Sequence, residues 1–174
     1  GRTYWPEKIK KRKIIMKKFQ EWTPPPALGT PPEVVTEPFT IVLWGVTTGV
    51  LKNWLRSLES TTSEDITELH GSPGSAGIVE GKARVIRTVE QLEQLEKGEI
   101  MVAPTTSPSW VPVFTKIIGA VTDVGGPMCH AAIVCREYGL PTVVGTGNAT
   151  SVIKTGDLIR IDGNEGTVKI VERR

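Results

Sequence analysis

Apolar and polar residues repeat with two different periods along the chain, and the change of period divides it. In "YWPEKIKKRKIIMKKFQEW" the apolar positions Trp5, Ile9, Met16 and Phe19 recur at helical spacing with basic residues between them. This predicts an amphipathic helix over residues 1–22, its greasy stripe docked on a neighbouring domain or subunit and its lysines in solvent. "TPPPALGTPPE" (Thr23–Glu33) holds five prolines and reads as a stiff extended connector. The apolar run "FTIVLWGVTTGVL" (Phe39–Leu51) and the polar stretch that follows have no period that decides between helix and strand, so 23–65 is taken as connector plus an apolar segment.

From residue 66 onward the period alternates between two and 3.6. "AGIVEGKARVIRT" is strand-like. "VEQLEQLEK" reads as a short helix, with Thr88 and Gln91 spaced as a capping box. "EIMVAP" and "GAVTDV" are buried strands. "SWVPVFTKI" carries Pro112 where only a first helical turn tolerates it. "AAIVCREY" is a helix stopped by Gly139, with Pro141 just beyond. "TVVGT" is a strand, and "LIRIDGNEGTVKIV" is two strands around a turn at Asp162-Gly163-Asn164. Strands alternating with helices, then a closing hairpin, predict an α/β layered fold with a partly parallel sheet over 66–174.

Composition changes this picture in three ways. The 174 residues are 39% hydrophobic and 23% charged, ordinary for a globular chain. The net charge of +2 is uneven: residues 1–18 hold eight basic residues against Glu7, a net of +7, which leaves −5 for the rest. The basic excess therefore belongs to the first segment, and no nucleic-acid partner is expected for the folded body. Cys129 and Cys135 are too few for a disulfide framework and no signal-peptide pattern is read, so a cytoplasmic setting is expected. The longest apolar run is shorter than the ~20 residues of a membrane helix, so no membrane partner is expected either. Gly1 rather than Met stands first, as for an excised or processed piece of a longer chain.

The candidate chemistry lies in "GGPMCH" (Gly125–His130). A strand, a glycine pair and a helix start make an anion site, because the first amides of a helix lack intrahelical partners and the dipole is positive there. A histidine at that place is kept neutral, with a lone pair available for attack on phosphorus. Gly125, Gly126, Cys129 and Ala131 are the expected phosphate-binding backbone. Thr105 and Thr106, at the end of a strand, are expected to turn hydroxyls towards the phosphoryl group. Asp123 is a weaker candidate for orienting the ring, and Arg136 is expected in a structural or docking ion pair. Cys129 is a competing nucleophile, since a helix N-terminus favours thiolate, but adjacent helical residues point about 100° apart and His130 would not serve as its base. Two histidines and two cysteines without C-x-x-C spacing give no metal site.

"GGPMCHAAIVCREYGLPTVVGTGNAT" resembles the signature of the phosphohistidine, or swivelling, domain of phosphoenolpyruvate-utilising enzymes. The matching positions are Gly125, Gly126, Cys129, His130, Ala131, Ala132, Ile133, Arg136, Glu137, Gly139 and Pro141. "GSPGSAGIVEGKARVI" (Gly71–Ile86), "APTTSPSWVPVF" (Ala103–Phe114) and "GDLIRIDGNEGTVKI" (Gly156–Ile170) extend the likeness over roughly 66–172. The resemblance implies a swivelling β/β/α fold, here preceded by a helical and proline-rich N-terminal segment. It implies a phosphotransferase carrier that is not active alone. His130 would take a phosphoryl group from ATP (or phosphoenolpyruvate) at an ATP-binding domain or subunit. It would deliver that group to pyruvate or another acceptor at an acceptor-substrate domain or subunit. No cofactor is expected in the carrier itself; Mg and ATP belong at the partner. The synthase and dikinase branches often have threonine two positions before the histidine. Met128 stands there and lacks the hydroxyl, which leans towards the phenylphosphate synthase or rifamycin phosphotransferase branch. The alternative is a binding or regulatory module that keeps the fold without the chemistry.

Overall fold

A computed structural model describes residues 4–21, 32–59 and 66–174. Gly1–Pro31 and Pro32–Arg174 are separate compact units. The first unit contributes helix α1 (Tyr4–Glu21), which keeps Trp5, Ile9 and Met16 exposed along its own length. The proline connector lies almost wholly outside the described residues, as does the polar stretch 60–65.

The second unit begins with the run whose period is indecisive. It is two helices, α2 (Pro38–Trp44) and α3 (Thr48–Glu59). The break has local causes. Glu37 caps α2 by accepting bonds from the amides of Phe39 (3.1 Å) and Thr40 (2.5 Å), and Pro38 fills the first helical position where no amide is needed. Gly45 ends it with φ +70°, donating back to the Ile41 and Thr40 carbonyls. Thr47 Oγ1 then accepts from Val50 N at 3.2 Å and starts α3.

Eight strands follow: β1 (Glu68–His70), β2 (Ser72–Ser75), β3 (Ile78–Val85), β4 (Ile100–Ala103), β5 (Gly119–Thr122), β6 (Thr142–Val144), β7 (Leu158–Asp162) and β8 (Thr167–Glu172). Their order is β1-β8-β7-β3-β4-β5-β6-β2. β3 to β6 run parallel, and the flanking pairs are antiparallel. Side chains alternate along the parallel strands, so this sheet has two distinct faces. Ile100, Val102, Val121 and Val143 share a core with Ile159, Ile161 and Val168 of the closing hairpin. Met101, Ala103 and Ala120 instead meet Trp110, Phe114 and Cys135 under the helices. Two sheet layers and one helical layer result, the swivelling β/β/α arrangement the resemblance implied.

The crossover from β5 to β6 is helix α4 (His130–Tyr138), stopped at Gly139 with φ +66°. The two others are 3-10 helices, Val89–Gln94 and Pro108–Thr115. Pro112 sits inside the second of these and not in its first turn; short 3-10 pieces tolerate what a regular α-helix interior would not. Short β1 and β2 escape a period-based reading; His70 is exposed at the end of β1 opposite Thr167. Helix α5 (Ala149–Val152) escapes it too. Among the described residues no helix is long and apolar enough to cross a membrane.

Candidate functional site

The parallel strands all point their C-terminal ends at one edge, the place where α/β folds collect ligands. After β4 the chain runs through Pro104 to Ser107. After β5 it runs through Asp123 to Cys129, and α4 starts at His130. Backbone bonds lock these segments together: Asp123 N to Ala103 O (3.0 Å) and Val124 N to Pro104 O (2.9 Å).

His130 is the first residue of α4, after Cys129 at the N-cap. The Cys129 thiol makes no capping bond to the first turn. The ring is half-buried. Thr106 Oγ1 lies 2.8 Å from its Nδ1, and Phe114 meets it edge-on with ring centroids 6.2 Å apart. Burial holds the imidazole below its ordinary pKa, so it is neutral near pH 7. With Nδ1 committed to Thr106, Nε2 is the nitrogen left for chemistry. The tautomer with Nδ1–H donating to Thr106 leaves the Nε2 lone pair free. No Asp, Glu, Lys or Arg occurs from Pro104 to Val113 or from Val124 to Cys135. An anion here meets backbone amides and hydroxyls rather than cationic side chains from these two segments.

The candidates separate on this geometry. Thr106 touches the ring, while Thr105 is exposed and makes no such contact. Met128 is 58% exposed. The hydroxyl that a threonine there would bring to the ring comes instead from the β4 loop. Asp123 does not orient the imidazole. Its oxygens accept from Thr150 N (2.9 Å) and Thr150 Oγ1 (2.5 Å), fastening the chain after β6 to the end of β5. Burial pushes that carboxyl above its usual pKa, against the lowering effect of the Thr150 and Ala149 bonds. Among the described residues Arg136 makes no ion pair within the chain. Its Nη1 donates to Gly74 O and its Nη2 to Pro127 O, both at 2.7 Å, which ties the loop before His130 to β2. An arginine six residues past the histidine reaches back along the helix, as helical side chains do.

Gly125 has φ +138°, and a Cβ there would stand 2.7 Å from Cys129 Sγ. Both glycines of the pair are buried. Cys129 is half-buried, and Ala131 and Ala132 are buried under the loop. Cys135 lies in the helical core, where burial pushes its thiol up to about 11.

A strand end, a glycine turn and a half-buried histidine opening a helix belong to the class of arrangement suited to small anionic groups. The comparisons with known proteins agree with that class. Residues 95–166 match the family described as PEP-utilising enzyme, mobile domain. The chain resembles this family over that segment, which holds His130. It is 40% identical over 163 residues to a rifampicin phosphotransferase of Bacillus cereus, covering 94% of this chain and 16% of that protein. It is 46% identical over 98 residues to a probable phosphoenolpyruvate synthase of Methanothermobacter thermautotrophicus, covering 56% of this chain and 14% of that one. The chain thus spans less than a fifth of these relatives. Among solved structures, the Thermococcus kodakaraensis aconitase X (holo-form) matches with a TM-score of 0.50 at 20% identity, over 60% of this chain and 98% of that one. That likeness concerns the fold alone.

Proposed function

We propose that this chain is the phosphoryl-carrying part of an ATP-dependent phosphotransferase, with His130 as the group that is phosphorylated. The observation that carries the reading is the Thr106–His130 bond at the start of α4. In the tautomer with Nδ1–H donating to Thr106, Nε2 is the nitrogen free to act as nucleophile. In the first half-reaction the Nε2 lone pair attacks the β-phosphorus of ATP, an N–P bond forms, and the α–β bridging P–O bond breaks with AMP as the leaving group; water then cleaves the β–γ bridge, releasing phosphate and leaving one phosphoryl group on nitrogen. In the second the N–P electrons return to nitrogen as an acceptor oxygen takes the phosphoryl group. Attack leaves the ring cationic, so the Nδ1–H bond to Thr106 strengthens as the charge develops. The phosphoryl oxygens fall against the first amides of α4 and the Gly125–Cys129 loop, where the dipole favours negative charge.

ATP with its Mg and the acceptor are assigned to partner domains, in keeping with relatives that are several times longer than this chain. Likeness to a rifampicin phosphotransferase, 40% identical along 94% of the chain, favours an acceptor of the rifampicin kind over pyruvate.

The test supplies ATP labelled at the β-phosphorus together with a nucleotide-binding partner domain. An acid-labile, base-stable label on His130, absent from His130→Ala, is expected. Absence of label, or label that survives His130→Ala, rejects the reading.

A further inference from the structure

The glycine pair before His130 faces another segment of the chain. A Cβ on Gly126 would stand 2.6 Å from Val42 O and 2.7 Å from Gly45 N. A Cβ on Gly45 would stand 2.2 Å from Gly125 O and 3.0 Å from Gly126 Cα. Gly145, just past β6, would put a Cβ 2.5 Å from the same Gly125 carbonyl. Backbone therefore meets backbone at three points, with no side chain between. Such approaches need glycine, and here the obstructing atoms are main chain, which cannot swing aside.

We propose that the last turn of α2 is a wall of the phosphohistidine loop, and that Gly45 is a positioning residue for His130. This rests on His130 being the phosphoryl acceptor. α2 lies outside the matched family segment 95–166. Its Gly45 presses on Gly125-Gly126 from one side while Gly145 presses from another. The loop amides that would receive a phosphoryl group are thereby held where α4 begins, and Cys129 N donates to Gly126 O at 2.9 Å to pass that constraint on to the N-cap. A Cβ added to the wall displaces the loop without touching any atom of His130.

The probe is phosphoramidate, a small donor that needs no partner domain. Imidazole nitrogen attacks its phosphorus, the P–N bond breaks, and ammonia leaves with the bond pair. His70, exposed at the end of β1, is the internal reference in each sample. Three variants of the whole chain are compared. Gly45→Ala adds the Cβ and also strains φ. Gly45→Asn adds the same Cβ in a residue that tolerates positive φ. Gly49→Ala, whose nearest neighbour would be Thr47 Oγ1 at 3.8 Å, is the control.

Gly45→Ala and Gly45→Asn are expected to lower the His130 rate about tenfold, the equivalent of about 1.4 kcal/mol, with His70 and Gly49→Ala unchanged. A wild-type rate in both Gly45 variants overturns the proposal, and so does a wild-type rate in Gly45→Asn alone, which would trace the effect to helix-cap strain. If both variants fail to fold, proton contacts between Gly45 and Gly126 in the wild-type NMR spectrum decide: their presence supports the wall and their absence overturns it. Wild-type chain whose His130 reacts no faster than His70 counts against the carrier reading itself, a separate outcome.

Discussion

Replacing Thr106 by valine removes one hydroxyl from the site and almost nothing else, because the two side chains have nearly the same shape. The lost interaction is the 2.8 Å bond between Thr106 Oγ1 and His130 Nδ1. Such a bond contributes about 1 kcal/mol with a neutral ring and about 1.5–3 kcal/mol with a charged one. Only the share that grows as the ring becomes cationic affects the rate, about 0.5–2 kcal/mol. Thr106→Val should therefore slow phosphorylation of His130 by about 2- to 30-fold. It should also release Nδ1, so that phosphate appears on both ring nitrogens. Thr106→Ser keeps the hydroxyl and should stay close to wild type. The assay is quantitative mass spectrometry of the His130 peptide during phosphoramidate treatment, with 15N NMR to tell the nitrogens apart. A Thr106→Val chain that reacts at the wild-type rate on Nε2 alone refutes the argument. So does a Thr106→Ser chain as slow as the valine.

Four further outcomes concern His130 and the braces of its loops. Burial depresses the His130 pKa, so the acid limb of its phosphorylation profile should lie below about pH 6.5, the ordinary imidazole value; an NMR titration with a midpoint above that value contradicts it. Asp123→Ala strands the Thr150 amide and hydroxyl and should cost about 1–3 kcal/mol per donor in urea unfolding, while Asp123→Asn, which can still accept and donate, should cost less. Because the folded Asp123 pKa is raised, that group's own contribution to stability should fall as pH rises from about 3.9 through the folded value, so the stability difference between wild type and Asp123→Asn should shift against wild type over that window. Arg136→Ala should speed amide exchange at Met128 and Cys129 more than in β4, because the Pro127 and Gly74 carbonyls lose their tie; equal change everywhere argues against a local clamp.

What the sequence disclosed depends on how local each signal is. The strands β3 to β8 and helix α4 were legible because apolar period and stop signals coincide there: Gly139 ends α4 in the left-handed region, as its place before Leu140-Pro141 implied. The Phe39–Leu51 run was illegible because its break is made by Glu37, Gly45 and Thr47 acting as caps, not by a change of hydrophobicity. At the site, His130 could be picked out by what precedes it. The choice between Thr105 and Thr106 could not, since adjacent residues after a strand differ only in which way the backbone turns them. Arg136 and Asp123 invite assignment by charge, but each is used as a hydrogen-bonding brace: one for carbonyls, one for a threonine. Gly126 illustrates the same limit. Its sequence context suggested close approach to a ligand, and the atoms that come closest belong to α2 and its cap, some eighty residues earlier.

Two histidines in one chain allow the most direct test. Treated with phosphoramidate at pH 7, the protein should carry phosphate on His130 well before His70, about tenfold faster or more. On His130 it should sit on Nε2 alone, whereas exposed His70 should show both isomers. Equal rates at the two histidines, or mixed isomers at His130, would contradict an imidazole oriented to carry phosphoryl groups.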